Sequence, residues 1–332
     1  MMTSINCTRV EAPNHGLEDL IHSTVHREDE ILPLNPSGRN KIDGTGINRV
    51  KYNFMKCKEM VYIATMNVRT LSSTAKKTEI IHRIRANRIN ILGIQDHKIV
   101  HKEGESKIKT DIFHGHTIIT TSAWRNSRNA AVGGVGVILD KYAANSLATI
   151  ESFNNRIMII HLTGNPVTTI IIQYTPTEGS SECESHFENL SNAISTIPKH
   201  NVLVVVGDFN AHLGENDARY TYHLNTNKNG QHLQELSSEK NLIITNTTFQ
   251  KRRGKLWTYL SDMSGNKTQI DYILINRKWK NSVKNVEAYS SFSSVGSDHR
   301  VLTASLKLSL RSSKTPPRDK QLQKNQFILN CL

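Results

Sequence analysis

Short apolar segments rich in β-branched residues recur along residues 61–308 and are separated by turn residues. The first two are VYIATMNV and RINILGIQD. Such segments are typical of buried strands. Between them, Ile80, Ile81 and Ile84 stand at helical spacing among lysines and arginines, which predicts an amphipathic surface helix over residues 74–88. The folded part of the chain is thus predicted to open with a strand, a helix and a strand.

The rest of the pattern predicts many strands and few helices. Strands are indicated by DIFHGHTIITTS, AAVGGVGVILD, RIMIIHL, TTIIIQYT, NVLVVVGDFN, LIITNTTF, KLWTYL, TQIDYILIN, VKNVEAYSS and HRVLTASLKL. A second helix is indicated by the apolar spacing from Cys183 to Ile194 before Pro198, and a short third one by residues 230–240. Because so few helices cannot cover many parallel strands, we predict an α/β or α+β domain of two packed mixed sheets flanked by helices.

The two ends of the chain differ from the middle. Residues 1–58 are polar and rich in Gly and Pro without sustained periodicity, so we predict a disordered leader. We place the folded domain at residues 59–309 and a flexible polar tail at residues 310–332. The N-terminal stretch lacks the apolar core of a signal peptide, and no apolar run approaches the roughly 18 residues of a membrane span. We therefore expect no membrane partner.

Composition adds hints about partner and compartment. Lys plus Arg outnumber Asp plus Glu by 42 to 29, which gives a net charge of +13. A basic protein attracts polyanions, of which nucleic acid is the commonest, although several of these charges crowd the C-terminal end. The 4 cysteines are scattered, without the short spacings of zinc or redox motifs. We expect a nuclear or cytoplasmic protein.

Polar residues fall at the C-terminal ends of several apolar segments, where side chains from different strands can converge on one rim. They are Asn67, Asp96, Tyr174, Asp208 and Asn210, with Asp298 and His299 just before the last strand. One residue separates Asp208 from Asn210, which would point both side chains the same way. Taken singly, each of these residues is an ordinary turn or cap residue.

Asp271 is the sharpest single anomaly, because it interrupts the apolar segment QIDYILI. A carboxylate in such a segment is costly to bury unless it is paired. A histidine is its natural partner.

In order along the chain, the phrases MNV, LGIQD, YTP, GDFNAHLG, QIDYILI and SDH resemble the motif series of the endonuclease/exonuclease/phosphatase superfamily. The resemblance covers about residues 61–308, and GDFNAHLG together with IDYILIN and SDHRVL is its most specific part. Within the superfamily the chain is most similar to the apurinic-type endonuclease domain of non-LTR retrotransposons. The resemblance implies a DNase I-like, four-layer sandwich of two mixed β-sheets flanked by helices.

The resemblance also implies catalytic roles. Asp208 matches the residue that orients or deprotonates the attacking water, and Asp271 matches the carboxylate that hydrogen-bonds the catalytic histidine, here His299. Asn210 resembles the amide that holds the phosphate, and Tyr174 the phenol beside the scissile group.

A metal site is implied in the same way. Asn67, Asp96 and Asp298 resemble the metal-side residues. Hard oxygen ligands select Mg²⁺, which Mn²⁺ can replace, and we expect no small-molecule cofactor. The family commonly has Glu where Asp96 stands and an aromatic residue where Met66 precedes Asn67. Both departures would weaken the enzyme.

These observations predict a magnesium-dependent, monomeric DNA endonuclease that acts by in-line attack of an activated water. The segment QKRRGKLWTYL is interpreted as a basic hairpin turn in which Lys251, Arg252 and Arg253 contact DNA phosphates. Trp257 either contacts bases or packs in the core.

Two alternatives stay open. One is a phosphatase of the same superfamily, although QIDYILIN resembles the nucleases. The other is a domesticated retrotransposon fragment that binds nucleic acid without cutting it, against which the presence of Asp208 and His299 speaks.

Overall fold

The computed structural model describes residues 53–292 and 295–308. Residues 1–52 of the predicted leader and the whole predicted tail, 310–332, lie outside the described residues. Phe54 and Met55, at the end of the predicted leader, are buried in the hydrophobic core. The packed region therefore includes residues before 59. None of the described helices is long and apolar enough to cross a membrane.

The helices and strands follow one another in chain order as described here. The strands are β1 (Met60–Asn67), β2 (Ile91–Gln95), β3 (Ile108–Phe113), β4 (His116–Thr121), β5 (Trp124–Arg125), β6 (Ala131–Val132), β7 (Val135–Leu139), β8 (Leu147–Asn154), β9 (Ile157–Leu162), β10 (Thr168–Tyr174), β11 (Val202–Asp208), β12 (Leu242–Ile244), β13 (Tyr259–Leu260), β14 (Lys267–Thr268), β15 (Asp271–Asn276), β16 (Val283–Tyr289) and β17 (Val301–Lys307). The helices are α1 (Thr74–Ala86), α2 (Lys141–Asn145), α3 (Cys183–Ser195) and α4 (Lys228–Glu239).

Most of the strands form two mixed sheets. The larger sheet has the order β16-β17-β1-β2-β7-β4-β3, and the second has the order β12-β15-β11-β10-β9-β8. Apolar side chains from the facing sides of both sheets, such as Ile63 and Ile91 from one and Ile172 and Val206 from the other, form one buried cluster. The two sheets approach each other closely at Gly93, because an added Cβ would lie 2.8 Å from Val206.

Helices cover the outer faces of both sheets. Helix α1 buries Ile80, Ile81 and Ile84 against the larger sheet, and its first turn is capped by Ser73, whose side chain accepts the Lys76 N–H at 3.2 Å. Helices α3 and α4 pack on the second sheet through residues such as Leu190. The predicted four-layer sandwich of two mixed sheets flanked by helices is confirmed.

Strand direction brings the polar strand ends to one rim. Parallel pairing sets Asn67 beside Gln95, and Tyr174 beside Asp208. Antiparallel pairing sets the start of β15 against the end of β11, so that Asp208 and Asp271 are register partners. Strand β17 runs antiparallel to β1, and its start therefore lies at the end of β1.

Some elements differ from the sequence prediction. The short helix α2 and the edge strand β8 were not predicted, and KLWTYL contributes only the two residues of β13. The basic hairpin turn predicted around residue 252 is wrong, because residues 253–255 form a 3-10 helix instead. This helix is followed by Leu256, which is buried.

Candidate active site

A buried histidine and carboxylate form the centre of the rim. His299 Nδ1 lies 2.9 Å from Asp271 Oδ2, and the two side chains are 5% and 0% exposed. The second oxygen, Asp271 Oδ1, is buried without a hydrogen-bond partner in the described part of the chain. The pairing that the apolar context of Asp271 predicted is therefore present.

Asp208 completes this group on the other side of the imidazole. His299 Nε2 lies 3.8 Å from Asp208 Oδ2, which also accepts the Asn67 side-chain amide at 3.1 Å. The other oxygen, Asp208 Oδ1, accepts the backbone N–H of Asn210 at 3.0 Å. Both oxygens of Asp208 are thus fixed by hydrogen bonds, with Oδ2 facing the imidazole edge.

The environment moves the pKa values of Asp208 and His299 in the same direction. Burial, together with the negative charge of Asp271, raises the pKa of Asp208 to about 7. Burial alone would lower the pKa of His299, but the charge and hydrogen bond of Asp271 and the charge of Asp208 outweigh it and raise that pKa to about 9. Between these values the site holds a carboxylate beside an imidazolium.

Tyr174 and Asn210 stand beside this group. Burial, reinforced by the charges of Asp208 and Asp96, raises the pKa of the Tyr174 phenol far above its ordinary value, so the hydroxyl stays protonated. The Asn210 side chain donates to the Thr175 carbonyl at 2.8 Å. Asn210 adopts a φ of 46°, so it does not continue the alternation of β11 on which the shared direction with Asp208 was predicted.

The three predicted metal-side residues lie on the same rim, with Asn67 buried and Asp96 and Asp298 partly exposed. Asp96 Oδ1 accepts the Gly133 N–H at 2.9 Å, and Asp96 Oδ2 lies 3.2 Å from Lys98 Nζ. Asp298 Oδ2 lies 3.9 Å from an Arg69 guanidinium nitrogen, and Asn67 Oδ1 accepts the Arg69 N–H at 2.9 Å.

The backbone directly after β2 is unusual at these residues. Asp96 and Lys98 both adopt left-handed conformations, with φ values of 53° and 60°. Burial raises the pKa of Asp96, and the charge of Asp298 adds to that rise, so the two carboxylates interact. Two mutually repelling carboxylates and an amide oxygen are a donor set that fits a hard divalent cation. A cation would have to compete there with Lys98 and Arg69.

Among the described residues, one group of His, Cys, Asp and Glu side chains brings ligand atoms within 4.8 Å of one another, and it consists of Asp208, Asp271 and His299. A cation on His299 Nδ1 would break its 2.9 Å hydrogen bond to Asp271. We therefore interpret this group as a hydrogen-bonded acid–base cluster and the Asp96 side of the rim as the place for a metal.

The basic segment is less available than its sequence suggested. Lys251 Nζ bonds Asn285 at 2.6 Å and Glu287 at 2.9 Å, and its side chain is 17% exposed. Lys251 is therefore held in an ion pair within the protein, and its contact with DNA stays a prediction. Arg252 and Arg253 are exposed, and Arg253 lies 4.6 Å above the Tyr222 ring.

Trp257 is buried, with 8% of its surface exposed, which agrees with core packing. Arg300 and Lys267 lie over its ring, at 3.1 and 5.2 Å from the centroid. Sequence reasoning had not singled out Arg300, although it directly follows His299. This adjacency to His299 was the feature of the sequence that could have pointed to Arg300.

Sequence reasoning also missed three other cations at the rim. Lys98 and Arg69 face the metal-side carboxylates, and Arg156 lies 5.7 Å from the Tyr174 ring centroid. Lys98 and Arg69 stand two residues after Asp96 and Asn67, and this proximity could have pointed to them. No comparable feature of the sequence pointed to Arg156.

The chain is similar in sequence to a known protein family and to curated relatives. Residues 64–299 match the sequence model of the Endonuclease/Exonuclease/phosphatase family. Craniofacial development protein 2 from Bos taurus is 30% identical over 263 residues, which cover 77% of this chain and 42% of that protein. The chain thus spans less than half the length of that relative.

Solved structures share the fold at low sequence identity. The endonuclease domain of TRAS1, a telomere-specific non-LTR retrotransposon, has a TM-score of 0.55 at 14% identity and covers 76% of this chain and 100% of its own. The AP endonuclease LMAP from Leishmania major has a TM-score of 0.59 at 14% identity, covering 75% and 88%. The family match over residues 64–299 shows that this chain belongs to the Endonuclease/Exonuclease/phosphatase family.

Proposed function

We propose that this chain is a divalent-metal-dependent phosphodiesterase that nicks DNA. Membership of the family supports a hydrolytic nuclease or phosphatase. The observation that carries the proposal is the buried imidazole of His299, held between Asp271 at 2.9 Å and Asp208 at 3.8 Å. Phosphodiester hydrolysis needs a base for water and positive charge against the phosphoryl oxygens, and this group offers both.

The residues divide the reaction between them. Asp208, whose pKa lies at about 7, accepts a proton from the attacking water as the new P–O bond forms and the P–O bond to the leaving oxygen breaks on the opposite side. His299, whose pKa lies at about 9, remains an imidazolium at pH 8 and stabilises the negative charge of the phosphoryl oxygens. Asp271 orients the imidazole and keeps it charged. Tyr174 and Asn210 offer an O–H and an N–H for holding the phosphate.

A metal completes the proposal. A divalent cation held by Asn67, Asp96 and Asp298 would neutralise charge on the phosphate and on the leaving oxygen. Oxygen donors favour magnesium or manganese for this position.

DNA is the proposed substrate for two reasons. The net charge of +13 favours a polyanion, and relatives in fold include the TRAS1 endonuclease domain and a 3′ phosphatase from Neisseria bound to a product DNA hairpin. Action as a monomer and a nuclear or cytoplasmic location remain predictions.

Supercoiled plasmid tests the proposal. We expect purified protein to convert it to the nicked form with magnesium, and to leave it intact when excess chelator is present. Equal cleavage in chelator would contradict the metal requirement. Hydrolysis of a small phosphomonoester without nicking would favour the phosphatase alternative, and tight DNA binding without cleavage would favour the domesticated fragment.

A further inference from the structure

A run of exposed cations follows β15 at the end of the fold that lies opposite the rim. The segment RKWKNSVK, residues 277–284, contains no acidic residue. It forms a 3-10 helix over Arg277–Ser282 and then the start of β16. Its exposed cations are Arg277, Lys278, Lys280 and Lys284.

The preceding strand sets the distance between this segment and the catalytic residues. Strand β15 begins at Asp271, which lies in the acid–base cluster, and its 6 residues end at Asn276. At about 3.3 Å per residue, the segment lies roughly 20 Å from that cluster. A ligand bound to the segment therefore does not touch the reacting phosphate.

The backbone that carries these cations is anchored in the protein. Trp279 Nε1 donates to the Asn201 carbonyl at 3.0 Å, and the indole packs against the core between the two sheets. The Arg277 N–H donates to the Asn241 carbonyl at 2.9 Å, and Arg277 Nε donates to the Asn241 side-chain oxygen at 2.8 Å. The segment is thus a fixed platform with exposed lysine side chains.

The larger sheet extends this platform. The register between β16 and β17 shifts around Lys284, which is therefore a bulged residue outside the regular pairing. Its Nζ donates to the Asn281 carbonyl at 2.7 Å. On β17, Leu306 pairs with Val283, so the next residue, Lys307, lies at the same end of the sheet.

The name distal basic surface is used below for five cations, which are Arg277, Lys278, Lys280, Lys284 and Lys307. Among the described residues, none of them forms an ion pair with a carboxylate. Other lysines do, since Lys240 lies 2.7 Å from Glu239 and Lys98 lies 3.2 Å from Asp96. Like charges held on one surface repel each other, and a bound polyanion removes that repulsion.

The layout of the cations favours a partner with repeating negative charges. A 3-10 helix rises about 2 Å per residue, so the cations on this 6-residue helix spread over roughly 10 Å. That length equals about three base-pair steps of duplex DNA. Lysines carry point charges on flexible stems, which can follow backbone phosphates without reading bases.

The aromatic residue of the segment argues against a membrane surface as the partner. Proteins that lie on lipid insert apolar side chains beside their cations. Trp279 instead packs on the core and is fixed by its bond to Asn201, and Lys278 Nζ lies 5.3 Å from the centroid of its ring. A nucleic-acid backbone needs only the cations.

The stiffness of DNA decides which part of it reaches this surface. Duplex DNA resists bending over lengths of about 150 bp, whereas the rim and the distal basic surface lie at opposite ends of β15. A duplex at the rim therefore does not fold back around the protein to touch both places. The distal basic surface is left for a second segment.

We propose that the distal basic surface binds the phosphate backbone of a second nucleic-acid segment while the rim holds the first. The second segment is a separate molecule or a distant part of a long one. The inference goes beyond the proposed function, because it needs DNA at the rim but no cleavage there. One protein then holds two segments together.

Energy transfer between two short duplexes, one carrying a donor dye and the other an acceptor dye, tests the proposal. Both are mixed with the protein in chelator, and transfer rises when one protein holds both. Lys278→Gln with Lys280→Gln should lower the transfer about fivefold and reduce its salt slope by about two, as expected for two lost phosphate contacts. Lys280→Glu alone makes the same change in net charge and should act similarly.

The matched control is Lys102→Gln with Lys109→Gln. Both lysines are exposed, and Lys109 lies on β3, at the edge of the larger sheet away from β16. This control has the same net charge as the double variant and should keep wild-type transfer. Equal transfer in the double variant and the wild type, or an equal loss in the control, would overturn the inference.

Cleavage of a short duplex in magnesium separates this surface from the rim. The rate should be the same in wild type, double variant and control. A matching loss of cleavage in the double variant would assign its lysines to the substrate at the rim and overturn the inference. Absence of transfer, together with binding of labelled polyglutamate that depends on Lys278 and Lys280, would overturn it in favour of an acidic protein partner.

The same samples keep this inference apart from the proposed function. Wild-type protein that cleaves the duplex but gives no energy transfer refutes the distal basic surface alone. Wild-type protein that gives transfer without cleavage supports the surface and refutes the proposed nicking.

Discussion

The two sides of the rim are built in opposite ways. On the acid–base side, Asp208, Asp271 and His299 are buried and hydrogen-bonded to one another or to the backbone. On the metal side, Asp96 and Asp298 have side chains that are 15% and 17% exposed, and their charges meet Lys98 and Arg69. The first side is held by internal hydrogen bonds, whereas on the second side a metal, as proposed, would have to displace two resident cations.

This difference predicts how each side responds to change. A buried, hydrogen-bonded cluster resists small changes in solution but fails when one member is removed. Partly exposed ion pairs weaken as the concentration of salt or of a competing metal rises. Substitutions on the two sides should therefore differ in size and in what rescues them.

The largest effect is expected on the acid–base side. Asp208→Asn and His299→Ala should each lower the nicking rate about a thousandfold, because they remove the base and the cation that act on the transition state. Extra magnesium should not restore activity. Asp111→Asn, an exposed carboxylate on the edge strand β3, should leave the rate unchanged. Rapid nicking by Asp208→Asn would refute the assigned role.

Substitutions on the metal side should change the nicking rate less, and added metal should compensate for them. Asp96→Glu adds the methylene that the family commonly has, and should lower the magnesium concentration needed for half-maximal nicking. Lys98→Gln should lower it about threefold, since it removes an ion pair 3.2 Å from the carboxylate. Asp96→Ala should nearly abolish nicking at ordinary magnesium.

A magnesium titration of nicking checks these variants, with manganese as a second metal. Manganese should support nicking by the parent protein at a lower concentration than magnesium does, because manganese tolerates less regular coordination geometry. If Asp96→Glu needs as much magnesium as the parent, the backbone after β2 has adapted to the shorter aspartate.

The smallest effect on DNA affinity is expected from Lys251. Lys251→Ala should lower the free energy of unfolding by about 1–3 kcal/mol, because it leaves Asn285 and Glu287 with fewer partners, but it should barely change DNA binding. Arg252→Ala with Arg253→Ala should weaken binding and reduce its salt dependence without loss of stability. Denaturant unfolding and anisotropy on the same samples decide between stability and binding. The reverse pattern would restore the sequence-based role of Lys251.

The acid–base side could be predicted because its residues conflict with their local sequence. A carboxylate in QIDYILI has to be paired, and polar residues after buried strands meet wherever strands end together. Helix α2 could also have been found, since Asp140 caps it by accepting the Ala143 N–H at 2.7 Å.

The remaining features depend on pairings that the sequence does not reveal. Lys251 contacts Glu287 because β16 passes beside the 3-10 helix. The local sequence KRRGK does not indicate that partner. Arg156 meets Trp124 and Tyr174 through the turn between β8 and β9, and stacking has no periodic signature. Tertiary contacts of these kinds had to be seen in the structure.

The pH dependence of nicking, at saturating magnesium, tests the central claim most directly. Asp208 must be deprotonated and His299 protonated, so the rate should rise as pH increases through about 7 and fall as it increases through about 9. Asp271→Asn removes the charge that raises the pKa of His299, so the alkaline limb should move to lower pH. A rate that stays flat from pH 6 to 10, or an alkaline limb unmoved in Asp271→Asn, would contradict the account.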